Sequence, residues 1–491
     1  MLTDARPKGA DLSRAEGQAK LRAQPVFVLL AILVGVQFLI GGASRDDVVS
    51  LMVLRPLNVL ILALSIFWGW RLAWQHSRPL LIFGLATVGL TLIHLVPLPP
   101  ALWTALPGRD IVADIFDAAK VPLPWQPISL AQIRTWNALF FLAGPLAALI
   151  LTAGLGRFAN GLVLRALIAI GLISGLIGLL QAIGPVKGPL YFYRITNFGD
   201  GVGLFSNRNH QAVFIAAMFP LLAAHFSLWR ANADRLMFQK VLTASVALFF
   251  VPLILVSGSR IGLILGAFAL GLAAWVYSPP QAVGRRDSLA LYRRLTRTAS
   301  IGAAVLGVAL LSIVAVRARL LERLFASDPS TEIRVQALPT NLEIAGAFFP
   351  IGSGIGSFVE VYRYFEPDAL LNERYLNHAH NDFLEAVMTA GLPGLLLIVA
   401  ALSMGLLGAL RLARAGRVAV GSPVRSEIIL GRAGIATLFL LALASVTDYP
   451  LRVPSLAVVA AISATWAWRG YLACAREPRS TRGHRSPGSF Q

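Results

Sequence analysis

The segment Asn377-His378-Ala379-His380-Asn381-Asp382-Phe383-Leu384-Glu385 sets two imidazoles and two carboxylates at the mouth of a long apolar run. Three chemistries suit such a cluster. As metal ligands, His378 and His380 would need further partners, and residues two apart on a helix point roughly 200° from each other, so the pair suits a metal only on extended backbone. As caps, Asn381 or Asp382 would satisfy the free amides at the start of the helix that follows. As a general base, a neutral imidazole would take the proton of an attacking hydroxyl, and His380 fits that role best.

Two arginines stand in comparable settings. Arg208 lies in Asn207-Arg208-Asn209-His210 and Arg260 in Ser257-Gly258-Ser259-Arg260, each at the edge of an apolar run among small or amide residues. Carrying an arginine into the lipid core costs up to roughly 3 kcal/mol, so such a residue is kept by snorkelling or by an anionic partner. Two together suit a phosphate group, whose oxygens match the guanidinium fork and bind more strongly where the local dielectric is low. Asp448, in Asp448-Tyr449-Pro450, is either an ordinary turn residue or a further part of that site.

The elements that must position these residues follow from composition. The chain has 491 residues, is 56% hydrophobic and 14% charged, and has a mean hydropathy of +0.70, which lipid rather than water must solvate. Apolar runs long enough to cross a hydrocarbon core of roughly 30 Å recur along it. They fall near 26–42, 56–70, 80–97, 137–155, 161–184, 210–229, 241–257, 261–277, 298–316, 383–410, 433–447 and 454–470. Open sheets cannot leave backbone groups unpaired in lipid, and these runs lack the alternation of a barrel strand. The expected fold is therefore all-α, a polytopic integral membrane bundle of about twelve transmembrane helices with a long periplasmic loop before the tenth.

Lys and Arg set the orientation. An N-terminal arm over 1–25 is basic, as are the turns at Arg71/Arg78, Arg157, Arg230/Arg235/Lys240, Arg285–Arg297, Arg411–Arg432 and the tail at 472–491. With twelve spans all of these share the cytoplasmic side, and the first span acts as an uncleaved anchor. The net charge of +19 is spread over these alternating turns, which topology alone requires, so it implies no nucleic-acid partner. One cysteine, Cys474, excludes an internal disulfide. The tail from Arg479 is expected to be disordered.

On the opposite face two loops have substance. One, at 98–136, is expected to lie on the membrane surface with Trp103 and Trp125 as anchors. The other, at 317–382, holds a helix from about Thr331 to Phe348, broken near Pro339, and then Gly352-Ser353-Gly354-Ile355-Gly356. Arg208, Arg260, His378, His380 and Asp448 all fall on that face. Arg334 on the loop helix, and Tyr362 or Tyr364, are either liners of an acceptor path or surface residues. His94 and His225 read as packed or capping residues, and His210 as a neighbour of the site.

The order Gly203-Leu204-Phe205-Ser206-Asn207-Arg208-Asn209, Ser257-Gly258-Ser259-Arg260, the glycine-rich loop, His378-Ala379-His380-Asn381-Asp382 and Gly391-Leu392-Pro393-Gly394 resembles the O-antigen ligase and polymerase superfamily of bacterial envelope glycan enzymes. The resemblance covers roughly residues 200–450. It divides the chain into N-terminal membrane helices over 26–199 and an O-antigen ligase-like membrane domain over 200–471. It implies a metal-independent glycosyltransferase, without nucleotide or other cofactor, that takes a glycan from undecaprenyl diphosphate at the periplasmic face of the inner membrane. In ligases the acceptor is lipid A-core, and in polymerases another lipid-linked repeat of O-antigen, capsule or exopolysaccharide. Carried over, Arg208 and Arg260 would bind the diphosphate, His380 would activate the acceptor hydroxyl, and His378 would shape the site with Asn381, Arg334 and Asp448 as further contacts. The His-x-His-Asn form belongs to the broad superfamily rather than to lipopolysaccharide ligases alone, which leaves the acceptor open.

A lipid-linked glycan transporter or flippase is the competing class, since about twelve spans would serve it too. A transporter would place charge near the bilayer midplane and show related halves. Here the polar residues gather at one edge and the halves are unlike, which favours the enzyme.

Overall fold

A computed structural model of the chain describes residues 9–282, 333–371, 376–416 and 418–476, with side chains from Gln24 onward. In chain order the principal helices are α1 (Gly9–Ile40), α2 (Leu51–Ile93), α3 (Gln132–Gly154), α4 (Arg157–Ile183), α5 (Arg208–Ser227), α6 (Ala233–Val256), α7 (Arg260–Val276), α8 (Leu338–Phe348), α9 (Phe358–Phe365), α10 (Asp382–Arg414), α11 (Arg425–Ser445) and α12 (Pro454–Arg476). Among the described residues eight of these (α2 to α6 and α10 to α12) are long and apolar enough to cross a membrane, and the apolar stretches Gln24–Ile40 and α7 are shorter. The protein is a helical, multi-pass membrane protein. The span expected at 298–316, the basic turn at Arg285–Arg297 and the tail beyond Arg476 lie outside the described residues.

Helix α2 covers two of the expected spans, 56–70 and 80–97. A straight helix of its 43 residues would be about 64 Å long, twice what one crossing needs. At Ser77 the backbone leaves helical geometry (φ −140°, ψ 29°), and Pro79 then starts the second half, where its missing N–H costs nothing. Val59, Leu62 and Ile66 line one cavity with Leu81, Leu85 and Val88, so the two halves fold back on each other and share α3 as a neighbour.

The core is built around α5, which is apolar on all sides and therefore central. Its residues from Ala212 to Leu222 are all buried, and α4, α6, α7 and α11 surround it. Helices begin upstream of the apolar runs that announced them where polar caps extend them. Asn232 accepts from the Arg235 amide and starts α6 eight residues before the apolar stretch.

Helix α10 is broken at Gly391 (φ +56°). A Cβ there would lie 2.1 Å from the Pro350 carbonyl oxygen, so only glycine fits. The break frees the Met388 and Thr389 carbonyls, which accept from the Ser353 and Gly354 amides at 3.0 and 2.9 Å. The glycine-rich loop is thus the partner that a broken helix in a membrane protein needs. It fixes the height at which α10 and the His378–His380 segment before it stand.

The loop at 98–136 folds into Pro100–Trp103, Asp110–Ala118 and a two-residue antiparallel pairing of Pro97 with Pro127 and Leu98 with Gln126. A second pairing, parallel, joins Arg230–Ala231 to Gln281–Ala282. The expectation that both tryptophans anchor the first loop to the membrane surface is corrected in part. Trp125 is exposed, but Trp103 is buried, packs against Phe116 and donates to the Pro124 carbonyl at 2.9 Å. The buried Arg109 donates to the Gly352 carbonyl at 3.1 Å, and the His94 Nδ1 accepts from the Ile355 amide at 3.1 Å. His94, just past the end of α2, therefore pins the two loops together.

Candidate active site

Three helices begin side by side at one end of the bundle. Asn207 caps α5, Ser259 caps α7 and Asn381 caps α10, each accepting from an amide of its own first turn. Arg208 and Arg260 are the first residues of their helices, whose N-termini each present about half a positive charge. The Ser259 hydroxyl donates to Asn209 Oδ1 at 2.7 Å, and Asn209 Nδ2 donates to Asp448 Oδ2 at 2.6 Å. Asp448 Oδ1 then lies 3.4 Å from Nδ1 of His380. Four polar segments far apart in sequence are joined in one chain of contacts.

Asp448 is the hub. It is 1% exposed, takes the Tyr449 amide at 3.0 Å and has His210 Nε2 at 3.9 Å. Burial pushes its carboxyl up, but the interaction with His380 and the neighbouring His210 and Arg334 charges outweigh it and hold the group well below the usual carboxylate range. The carboxylate thus stays ionised beside the imidazole. His380 itself sits at φ +52°, in the left-handed region that few residues other than glycine adopt. That bend turns its ring toward Asp448 while His378, two residues earlier, reaches the other way.

His378 Nδ1 is 3.1 Å from Glu385 Oε1, and Glu385 Oε2 accepts from the Ala379 amide at 2.9 Å. Arg452 bridges Glu385 at 3.2 Å and Asp382 at 3.3 Å, and Asp382 also accepts from the Ser445 hydroxyl at 2.9 Å. Burial disfavours the Arg452 charge, but Glu385 and Asp382 more than offset it and raise its pKa. Between the two groups stands Tyr449. Its ring centre is 4.5 Å from His378, 4.9 Å from His380 and 5.2 Å from His210, and its hydroxyl bonds with Asn377 and Asn207. Burial, then the Asp448 charge, pushes its phenol far up, so it stays neutral.

The remaining expected residues divide. Arg208 donates to Asp200 at 3.1 Å and is part exposed, and Arg334 donates to the Thr447 carbonyl at 3.1 Å, at the turn that carries Asp448. Asn381 acts as the cap of α10, with its side chain on the Leu384 amide. Tyr362 does not line a path: it is 1% exposed and stacked on Phe358 in a satellite core, because its face of α9 is the apolar one. Tyr364 is on the surface. His225 packs against Trp229. Sequence reasoning missed Tyr449 and Arg452. An arginine against the positive-inside bias, three residues after an already suspect Asp-Tyr, was the available signal.

Residues 243–399 match the family described as O-antigen ligase. That stretch runs from α6 into α10 and contains Arg260, Arg334, His378, His380 and Asn381. Arg208 on α5 and Asp448 on the turn before α12 lie outside it, and Asn209, next to Arg208, and Asp448 are tied to it by the bonds just described. No curated protein gives a significant match to the chain. The family match, over that stretch of a helical membrane protein, supports the resemblance to the O-antigen ligase and polymerase superfamily.

Proposed function

We propose that the protein is a glycosyltransferase of the inner membrane that moves a glycan from undecaprenyl diphosphate to an acceptor hydroxyl at the periplasmic face, with lipid A-core as the acceptor. The observation that carries this reading is the chain of contacts Ser259 to Asn209 to Asp448 to His380. It ties the first turns of the two helices that bear Arg208 and Arg260 to the imidazole that would act as base.

The chemistry is a displacement at the anomeric carbon. His380 holds its Nδ1 proton toward Asp448, which leaves Nε2 as the acceptor for the hydroxyl proton. As that proton moves to His380, the acceptor oxygen bonds to the anomeric carbon and the bond from that carbon to the diphosphate oxygen breaks. The electron pair leaves with undecaprenyl diphosphate. Arg208, Arg260 and the two helix N-termini take up the growing charge, which is where preorganised positive groups lower a barrier most. Neutralised in this way, diphosphate is a good leaving group and the step needs no metal or nucleotide.

The test is the surface glycan of cells that carry only His380→Ala, Arg208→Ala or Arg260→Ala at wild-type protein abundance. Loss of mature glycan with accumulation of lipid-linked precursor is the expected result. Long chains left on lipid mark a blocked ligase, and single repeats would make the protein a polymerase instead. Normal glycan in all three variants would overturn the transferase reading in favour of transport.

A further inference from the structure

A cavity of about 110 Å³ with several charged side chains in its wall lies against His378. It is roofed by the turn between α1 and α2 and walled by α3 and the start of α12. The chain of contacts through Asp448 does not use it. Its walls carry Arg45, Arg55, Arg134 and Arg452 with the amides Asn58 and Asn137.

Each guanidinium of this cavity is held by at least one carboxylate, and of those carboxylates Asp46 and Glu385 line it. Asp46 bridges Arg55 at 3.2 Å and Arg134 at 2.9 Å, Arg134 also holds Glu360 at 2.9 Å, and Arg45 holds Asp47 at 2.9 Å. Arg452 is held by Asp382 and Glu385. A cavity meant for a bare anion would keep its guanidiniums unbalanced. Alternating donors and acceptors on planar side chains instead match adjacent hydroxyls, each of which gives one hydrogen bond and accepts another. The Asn137 side chain makes no hydrogen bond among the described residues while lining this space, and Phe141 and Phe358 supply apolar wall. At about 30 Å³ per water the volume holds roughly four waters, enough for one edge of a hexose.

We infer that this cavity is a subsite for one sugar ring of the acceptor. Naming that ring as acceptor rests on the transferase reading; the binding of a sugar there does not. His378 and Glu385 form its wall nearest the base, and the His378 and His380 rings both rest on Tyr449. A ring seated here lies against His378, two residues before the base. Arg452 bridges Glu385, the partner of His378, and is a positioning residue for this wall.

Saturation-transfer NMR on the purified full chain in nanodiscs tests the subsite without any turnover, with methyl pyranosides of glucose, galactose, mannose and N-acetylglucosamine as probes. At least one should receive saturation from the wild-type and His380→Ala proteins and lose it by fivefold or more in Asn137→Ala and Arg55→Gln. If no pyranoside registers, or if the signal survives both cavity substitutions, the subsite is wrong. A companion transfer assay should show Asn137→Ala raising the KM for acceptor glycolipid about tenfold with the donor KM unchanged, and a change in donor KM alone would equally overturn it. Failure of the transferase reading looks different, because His380→Ala would then keep its surface glycan whatever the sugars do.

Discussion

Oδ1 of Asp448 stands 3.4 Å from Nδ1 of His380, and the carboxylate is 1% exposed while the imidazole keeps an accessible edge. The two residues are 68 positions apart and belong to different turns. A buried carboxylate behind an accessible imidazole fixes which nitrogen carries the proton and stabilises the imidazolium once it forms.

Replacing Asp448 by Asn keeps the shape and removes the charge. Glycan transfer should fall by about 10²-fold or more, with little change in donor KM, and Asp448→Glu should recover part of it. Steady-state transfer in nanodiscs measures both. A loss that appears as donor KM would place Asp448 on the substrate rather than behind the base.

Arg208 and Arg260 should not tolerate lysine. A point charge cannot reproduce the two-pronged contact of a guanidinium with phosphate oxygens. Arg260→Lys is expected to weaken binding of the lipid diphosphate by about tenfold, roughly 1.4 kcal/mol, in a direct binding measurement. Unchanged affinity in both lysine variants would remove them from the donor site.

Removing Arg452 leaves Asp382 and Glu385 without their shared counter-ion. Breaking such a mostly buried pair costs about 3 kcal/mol, so Arg452→Ala should lower the unfolding temperature in detergent markedly. Arg452→Ala combined with Glu385→Gln should recover some of that loss. An additive double variant would show that the contact contributes little.

Acid should loosen the docking of the two loops at His94. Burial, and then the Arg109 charge, push this imidazole down from 6.5 to about 4, and its Nδ1 accepts from the Ile355 amide only while unprotonated. Between those two pH values the unfolded chain binds the extra proton and the folded one does not. Stability therefore falls as pH drops from about 6.5 to about 4, by on the order of 3 kcal/mol, and no further below that. Proteolysis of the loop at 98–136 across this range should accelerate in the wild type. A His94→Gln variant should show a flatter response.

Gly391 should be irreplaceable. Alanine there would need φ near +56° and would bring Cβ against Pro350, so Gly391→Ala should reduce the amount of folded protein in membranes several-fold. Gly405, with open space at its Cβ, is the matched control.

Composition and apolar run length were sufficient for the helical, multi-pass class, because a chain that must satisfy its backbone in lipid has few ways to do so. The short polar motifs were legible for the same reason: polar residues are rare in such a chain, and caps such as Asn207, Ser259 and Asn381 announce helix starts through local bonding alone. What lay beyond the sequence was pairing across distance. Nothing local says that Asn209 bonds Asp448, 239 residues on, or that Tyr449 would gather three imidazoles. Nor could it say that Arg45, Arg55 and Arg134 would close a cavity with Arg452. Each of those helices satisfies its own backbone, so their mutual arrangement is set by side-chain packing around α5 and by the break at Gly391. Such contacts depend on which faces meet, and only the tertiary structure decided that.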